Sequence, residues 1–249
     1  MSARTVLLVH GAWAGAWAWG YVAAELDARG IAHRAVDLPS RQPGPGNLSE
    51  DAAAVRAAIA EIGGEVVLCG HSYAGMVITE AAAGEERVAR LVYVCAAMPE
   101  SGESLGGLMA TDPIPSEIGT AIRMADDGTA TLDPDAARAI IFSDATDEQA
   151  APVLPALGSH RMGTFGETVA AVGWQNVPSS YAVCTADRVL SEALQQRMAA
   201  RASEVVTLDA GHAPMLTQPA ALADALMRYA ADRRAPTAMA PAGATPGAA

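Results

Sequence analysis

Lysine is absent from this chain of 249 residues, and all 16 of its strongly basic side chains are arginines. A mechanism that uses lysine as a Schiff base or as a general base is therefore excluded. The 28 acidic residues outnumber the basic ones and give a formal net charge of −12. Binding to nucleic acid requires clustered positive charge against the phosphates. We therefore expect no nucleic-acid partner.

Cysteine and long apolar runs are also scarce. The three cysteines, Cys69, Cys95 and Cys184, each stand at the end of an apolar segment. Their odd number and their position favour reduced thiols in the core over a disulfide or a metal site. No apolar run has the length of a membrane span, and residues 1–4 lead directly into a strand without an apolar leader. We predict a cytoplasmic protein with no signal peptide, no membrane partner and no metal.

Short apolar strands alternate with helical segments along most of the chain. A helix is expected to begin at a Ser49 cap, and another carries Pro219 in its first turn. Strands are predicted at 5–9, 31–38, 66–69, 91–95, 180–184 and 204–208. This alternation predicts an α/β fold with a mostly parallel, doubly wound sheet of about six strands. Ligands of such sheets bind at the carboxyl ends of the strands.

The alternation breaks between residues 98 and 174, where glycine, proline, aspartate and threonine are frequent. We interpret 98–174 as a short cap or lid inserted into a core formed by 1–97 and 175–234. Only short helical candidates are visible within it, such as 135–142. The segment 235–249 is of low complexity, rich in alanine and proline, and predicts a disordered tail.

A strand, a sharp turn and a helix meet at the segment Gly-His-Ser-Tyr-Ala-Gly, residues 70–75. The spacing is that of a G-x-S-x-G nucleophile elbow, in which the turn exposes the serine hydroxyl. Ala74 stands at the second glycine of the pattern, and Gly75 follows one residue later. Ser72 is therefore the candidate nucleophile.

A serine nucleophile needs a base, and the base needs an acid that orients it. His212 is the histidine that follows the last predicted strand. Asp187 follows the strand before it, at the same edge of the sheet. Asp209, three residues before His212, is the rival acid, although it is more simply explained as a turn residue. We favour Asp187.

The oxyanion formed by attack on an ester needs preorganised N–H donors. We expect these to be the backbone N–H groups of Tyr73 and Ala12, with Gly11 allowing the tight loop path. His10 is interpreted as a structural residue that bonds loop backbone. The candidates for lining a substrate pocket, each of which could equally be a core residue, are Trp13, Tyr73, Phe142, Phe165, Met215 and Leu216.

His160 and Arg161, in the cap, could meet a polar group of a substrate. A solvated face of the cap is the simpler interpretation of this pair.

Segments 9–17, 70–76 and 211–216, with shorter stretches at 97–100 and 184–188, resemble a known family. They are similar to the small cofactor-free α/β-hydrolases around plant salicylate methylesterase and hydroxynitrile lyase, and to bacterial carboxylesterases that include pyrethroid hydrolases. The resemblance covers most of the chain outside the cap, which is shorter here than in the plant proteins. It implies the α/β-hydrolase fold and no cofactor.

The resemblance also assigns site residues. The triad of the family falls on Ser72, Asp187 and His212, and its oxyanion donors fall on Ala12 and Tyr73. Hydroxynitrile lyases of the family carry a lysine directly after the triad histidine and a threonine after the histidine of the first strand. Ala213 and Gly11 occupy those positions here, which favours hydrolysis over cyanide release.

The sequence thus predicts a serine esterase that cleaves small to medium apolar carboxylic esters through an acyl-enzyme intermediate. Two rivals use the same fold: a lyase or cyclase that employs the triad without hydrolysis, and a ligand-binding receptor. The expected partner is a small-molecule ester. Whether the chain forms a homodimer is left open.

Overall fold

The computed structural model describes residues 4–41 and 46–231. The strands within these residues are β1 (Thr5–Val9), β2 (His33–Val36), β3 (Val66–His71), β4 (Val88–Val94), β5 (Ile122–Met124), β6 (Thr129–Leu132), β7 (His160–Arg161), β8 (Ser179–Cys184) and β9 (Glu204–Leu208). The α-helices are α1 (Gly20–Ala28), α2 (Leu48–Glu61), α3 (Ala74–Ala81), α4 (Leu105–Ala110), α5 (Pro134–Ile140), α6 (Asp147–Val153), α7 (Glu192–Ala199), α8 (Pro214–Thr217) and α9 (Pro219–Ala231).

Six strands form one sheet in the order β2-β1-β3-β4-β8-β9, and every neighbouring pair is parallel. β3 and β8 are buried along their whole length, as expected of strands that are covered on both faces. The prediction of a parallel sheet of about six strands is confirmed. Because all six strands run the same way, the loops after β1, β3, β4, β8 and β9 gather at one edge.

Helices pack against one another and against the sheet. α1 packs against α9, α2 packs against α3, and α7 packs against β8. The helix predicted to begin at Ser49 begins instead after Asn47. The Asn47 side chain accepts the N–H of Glu50, and the Glu50 carboxylate accepts the N–H of Asn47, so the first turn is capped from both sides. The prediction of Ser49 as the cap was wrong.

The cap segment, residues 98–174, contains a second sheet that the sequence did not predict. β5, β6 and β7 pair antiparallel in that order, and the segment also contains α4, α5 and α6. The helical candidate 135–142 corresponds to α5, which spans Pro134–Ile140. The division into core and cap remains a prediction, and the predicted disordered tail lies outside the described residues.

All three cysteines are free and buried. Among the described residues, no helix has both the length and the apolar character needed to cross a bilayer.

Candidate active site

Three loops at the carboxyl edge of the sheet each contain a strained residue. Trp13 after β1, Ser72 after β3 and Cys95 after β4 have positive φ angles of 61°, 55° and 34°. Among the described residues, these are the non-glycine positions with positive φ. Such residues are uncommon and cluster at functional sites, where the surroundings enforce the strain. The neighbouring loops after β1, β3 and β4 therefore form the first candidate site.

Close backbone packing fixes the turn at Ser72. A Cβ placed on Gly75 would lie 1.8 Å from the carbonyl oxygen of Ala97, and one on Gly11 would lie 2.9 Å from Ser72 Cβ. Ala74 occupies the second glycine of the elbow pattern as an ordinary first residue of α3. The position that tolerates no side chain is Gly75, one residue later. This accounts for the departure from the G-x-S-x-G spacing.

The structure brings Ser72, His212 and Asp187 together. His212 Nε2 lies 3.0 Å from Ser72 Oγ, and His212 Nδ1 lies 2.7 Å from Asp187 Oδ2. With its proton on Nδ1, the imidazole donates to the carboxylate and accepts the serine hydroxyl. Asp209 is exposed, and its carboxylate contacts Thr185 rather than His212. The geometry therefore favours Asp187 over its rival.

The carboxylate of Asp187 accepts hydrogen bonds at both oxygens. Oδ1 accepts the N–H groups of Val189 and Leu190, at 2.7 and 3.1 Å. Oδ2 accepts from His212 and from the side-chain amide of Gln195, the latter at 3.1 Å. Sequence reasoning missed Gln195. The available signal was a polar residue at a position that lies on the buried face of α7.

The backbone of His212 is held as firmly as its ring. Its carbonyl oxygen accepts the Nε2–H of His71 at 2.7 Å and the S–H of Cys95 at 3.5 Å. Burial lowers the pKa of His71 well below its ordinary value, so the ring acts as a neutral donor. Ligand atoms of His71, Cys95 and His212 lie within 4.8 Å of one another. Their approach to one carbonyl oxygen accounts for this cluster.

The cap segment also contacts the loop that carries His212. Asp144 Oδ2 accepts the N–H of Gly211 at 2.8 Å and the hydroxyl of Thr217 at 2.9 Å. Gln149 donates its side-chain amide to the carbonyl of Leu216 at 3.1 Å. The cap therefore fixes both ends of the histidine loop, which we define as residues 211–217.

The backbone N–H groups of Ala12 and Tyr73 belong to the two loops that meet at Ser72. Among the hydrogen bonds between described residues, neither Ala12 nor Tyr73 donates its N–H. The side chain of Tyr73 turns away into the core, where its hydroxyl donates to Asp51 Oδ2 at 2.8 Å. Asp51 is completely buried, and this burial raises its pKa. The prediction that the Tyr73 side chain lines the pocket was wrong, because this bond holds it elsewhere.

His10 holds the loop after β1 in place by two hydrogen bonds. Its Nδ1–H donates to the carbonyl of Gly11 at 2.8 Å, and its Nε2 accepts the N–H of Leu38 at 3.0 Å. Burial lowers the pKa of His10 to about 4, so the ring stays neutral near pH 7. These contacts agree with the structural role predicted for His10.

An apolar cavity opens above Ser72, between the sheet edge and the cap. It encloses about 750 Å³ of empty space, including its opening to solvent. Its polar lining side chains are those of His71, Ser72 and His212, and the remainder are apolar. The five predicted lining residues that border it are Trp13, Phe142, Phe165, Met215 and Leu216.

His160 was expected on a solvated face of the cap, and that expectation was wrong. Its ring is buried, with centroids 4.9 Å from Tyr73 and 5.7 Å from Phe165, and its Nε2–H donates to Thr164. Burial lowers the pKa of His160 to about 3. Arg161 donates to the carbonyl of Asp127, and neither His160 nor Arg161 borders the cavity.

A protein-family model described as the alpha/beta hydrolase family matches residues 6–225. The Aspergillus novofumigatus protein named alpha/beta hydrolase nvfD is 34% identical over 203 residues, covering 74% of this chain and 80% of that protein. A carbendazim hydrolyzing esterase of Nocardioides sp. is 37% identical over 127 residues, covering 45% and 49%. The solved structure of a pyrethroid hydrolase from Sphingobium faniae superimposes with a TM-score of 0.80 at 25% identity, covering 91% of this chain and 97% of that one.

Proposed function

Because this chain belongs to the alpha/beta hydrolase family and has esterases among its relatives, we propose that it is a serine esterase whose triad is Ser72, His212 and Asp187. The observation that carries the proposal is the continuous chain of hydrogen bonds from Ser72 Oγ through His212 to Asp187, at 3.0 and 2.7 Å. This chain is the arrangement that makes a serine hydroxyl nucleophilic.

In the first half of the reaction, Ser72 Oγ attacks the ester carbonyl while His212 Nε2 takes the hydroxyl proton. Asp187 stabilises the imidazolium that results. The N–H groups of Ala12 and Tyr73 would donate to the oxyanion, since they have no other acceptor among the described residues. His212 then gives its proton to the leaving alkoxide, and an acyl-enzyme on Ser72 remains.

In the second half, water takes the place of the alcohol. His212 removes a proton from this water as it attacks the acyl carbon, and the oxyanion is again held by Ala12 and Tyr73. Return of the proton from His212 to Ser72 Oγ releases the carboxylic acid. The two halves use the same groups in opposite order, as the reversibility of the steps requires.

The cavity sets the substrate class. Apart from His71, Ser72, His212 and the indole N–H groups of Trp13 and Trp17, its lining side chains are apolar. A charged substituent would therefore lose its hydration without gaining a partner of opposite charge. We propose small to medium uncharged esters. Among the lining residues there is no ammonium group that could stabilise a departing cyanide, which disfavours the lyase alternative.

The decisive experiment combines labelling with substitution. A fluorophosphonate probe should modify Ser72, and Ser72→Ala should abolish both labelling and the hydrolysis of p-nitrophenyl butyrate while the thermal midpoint stays close to that of the wild type. Asp187→Asn should lower kcat by about 10⁴-fold if the serine-protease precedent applies. Asp209→Asn is the matched control and should have little effect. Hydrolysis retained by Ser72→Ala would refute the proposal.

A further inference from the structure

The side chain of Gln195 is completely buried, yet all of its polar atoms have partners. Its Oε1 accepts the N–H of Cys184 at 2.9 Å. Its Nε2 lies 3.2 Å from the carbonyl oxygen of Cys184, 3.1 Å from Asp187 Oδ2 and 2.8 Å from the carbonyl oxygen of Leu190. One amide therefore joins the end of β8 to the loop that carries the proposed acid.

The surroundings fix the orientation of this amide. Exchange of Oε1 and Nε2 would place an oxygen against three acceptors and an N–H against the N–H of Cys184. Such an arrangement would leave several buried groups without partners, at a high free-energy cost. The donors of Gln195 consequently face Asp187, and Gln195 does not border the cavity.

We propose that Gln195 is a positioning residue for Asp187, an inference that rests on the proposed triad. The N–H groups of Val189 and Leu190 hold Oδ1, and Gln195 holds the free side of Oδ2. The carboxylate then cannot rotate, and Oδ2 stays directed at His212 Nδ1–H. Gln195 thus acts on catalysis through Asp187 and His212, without touching the substrate.

The test variant is Gln195→Glu, which has nearly the same shape and keeps an acceptor for Cys184 N–H. Its second oxygen faces three acceptors, so a protonated glutamate satisfies only one of them and an ionised one repels Asp187. We expect kcat/KM to fall on the order of ten-fold with KM nearly unchanged, by analogy with the outer partners of metal-ligating histidines. Added negative charge near the imidazolium should move the acid limb of the kcat/KM profile to higher pH.

Two controls separate positioning from stability. Gln196→Glu makes the same change at the next residue of α7, where the side chain is exposed, and should leave the rate and pH profile unchanged. Leu226→Ala opens a cavity at a buried residue of α9, which is not part of the proposed site. It should lower the thermal midpoint while kcat stays near the wild-type value below the unfolding transition. A purely structural Gln195 would behave like Leu226.

A spectroscopic readout makes the test independent of turnover. The downfield proton resonance of His212 Nδ1–H reports its bond to Asp187, and it should shift or broaden in folded Gln195→Glu but not in Gln196→Glu. A folded Gln195→Glu with wild-type resonance, rate and pH profile would overturn the inference. Absence of hydrolysis and of Ser72 labelling in the wild type would instead overturn the proposed function, and the resonance would still decide the role of Gln195.

Discussion

The elbow and the histidine loop stand on the two sides of the same proposed reaction centre, and they are held in different ways. The elbow at Ser72 is fixed by contact, because the backbone of Gly75 lies against the carbonyl of Ala97 with no space for a methyl group. The histidine loop is fixed by hydrogen bonds from side chains that belong to other elements, above all His71 and Asp144. Packing positions the nucleophile, and directed polar contacts position the base.

The difference has a mechanical basis. The nucleophile must be held in one position, and close packing permits little displacement of the atoms that it surrounds. The base must accept a proton and return it, so its surroundings need donors of fixed direction rather than mere volume. Damage to the elbow should therefore appear as a loss of stability, whereas damage to the histidine loop should appear as a loss of rate.

Gly75→Ala tests the packing of the elbow and should have the largest effect on the free energy of unfolding. An added Cβ would lie 1.8 Å from Ala97 O, so the backbone of α3 or of the facing loop must move. We expect the free energy of unfolding to fall by more than about 3 kcal/mol, measured by urea denaturation with tryptophan fluorescence. Gly20→Ala, where a Cβ meets nothing within 4 Å, is the control and should be neutral or stabilising. Equal stability of the two variants would contradict this account.

Lowering the pH should have the next largest effect on stability, because His10, His71 and His160 are buried with lowered pKa values. The pKa values of His10 and His160 are lowered from 6.5 to about 4 and about 3. Between those values and pH 6.5 the unfolded chain binds protons that the folded chain does not, so stability falls as the pH falls. Each histidine contributes a slope of about 1.4 kcal/mol per pH unit. Asp51, whose pKa is raised, contributes a pH dependence of stability with the opposite sign.

The measurement is urea denaturation at several pH values between 4.5 and 7.5, read against the ordinary histidine pKa of about 6.5. His160→Phe places another ring among Tyr73 and Phe165 and removes one titrating group. The slope of its free energy of unfolding against pH should be shallower than that of the wild type, by the amount that corresponds to about one proton. Parallel curves for the two proteins would show that His160 is protonated in the folded state.

Substitution of His71 tests the hydrogen bonds of the histidine loop and should give the smallest change in free energy. His71→Phe keeps a ring but removes the donor to the carbonyl of His212. Loss of a buried hydrogen bond costs about 1–3 kcal/mol, so kcat/KM should fall by about ten-fold or more. His71→Gln retains an N–H and should recover part of the loss. Steady-state kinetics and the rate of fluorophosphonate labelling provide the comparison, and equal rates for Phe and Gln would refute it.

The elbow and the chain positions of the triad residues were largely predictable from the sequence. Strands that alternate with helices give a parallel sheet, and this places the residues after β3, β8 and β9 at one edge. Ser72 followed from the elbow motif, and Asp187 and His212 followed from chain order and from their positions after predicted strands. The structure brings the three side chains together. The displaced glycine of the elbow was also visible, although only the structure shows why Gly75 must stay a glycine.

The hydrogen bonds that hold the histidine loop were not predictable, because they join residues that are distant in the chain. Asp144 meets Gly211 across 67 residues, and no local pattern marks either member of such a pair. His160 lies in a region of short elements whose periodicity is too brief to read, so its burial was missed. The Asn47 cap, in contrast, could have been found, since Glu50 three residues later completes a capping box.

Trp13 carries a consequence for how such enzymes diversify. Its indole N–H donates to Ala130 of β6, and its carbonyl accepts the N–H of Gly158, while its neighbour Ala12 offers the proposed oxyanion donor. A chimaera that exchanges segment 98–174 for that of a relative would cut both tethers of this strained residue. Selectivity and rate enhancement are therefore expected to change together when the insertion is replaced, unless the graft supplies equivalent partners for Trp13.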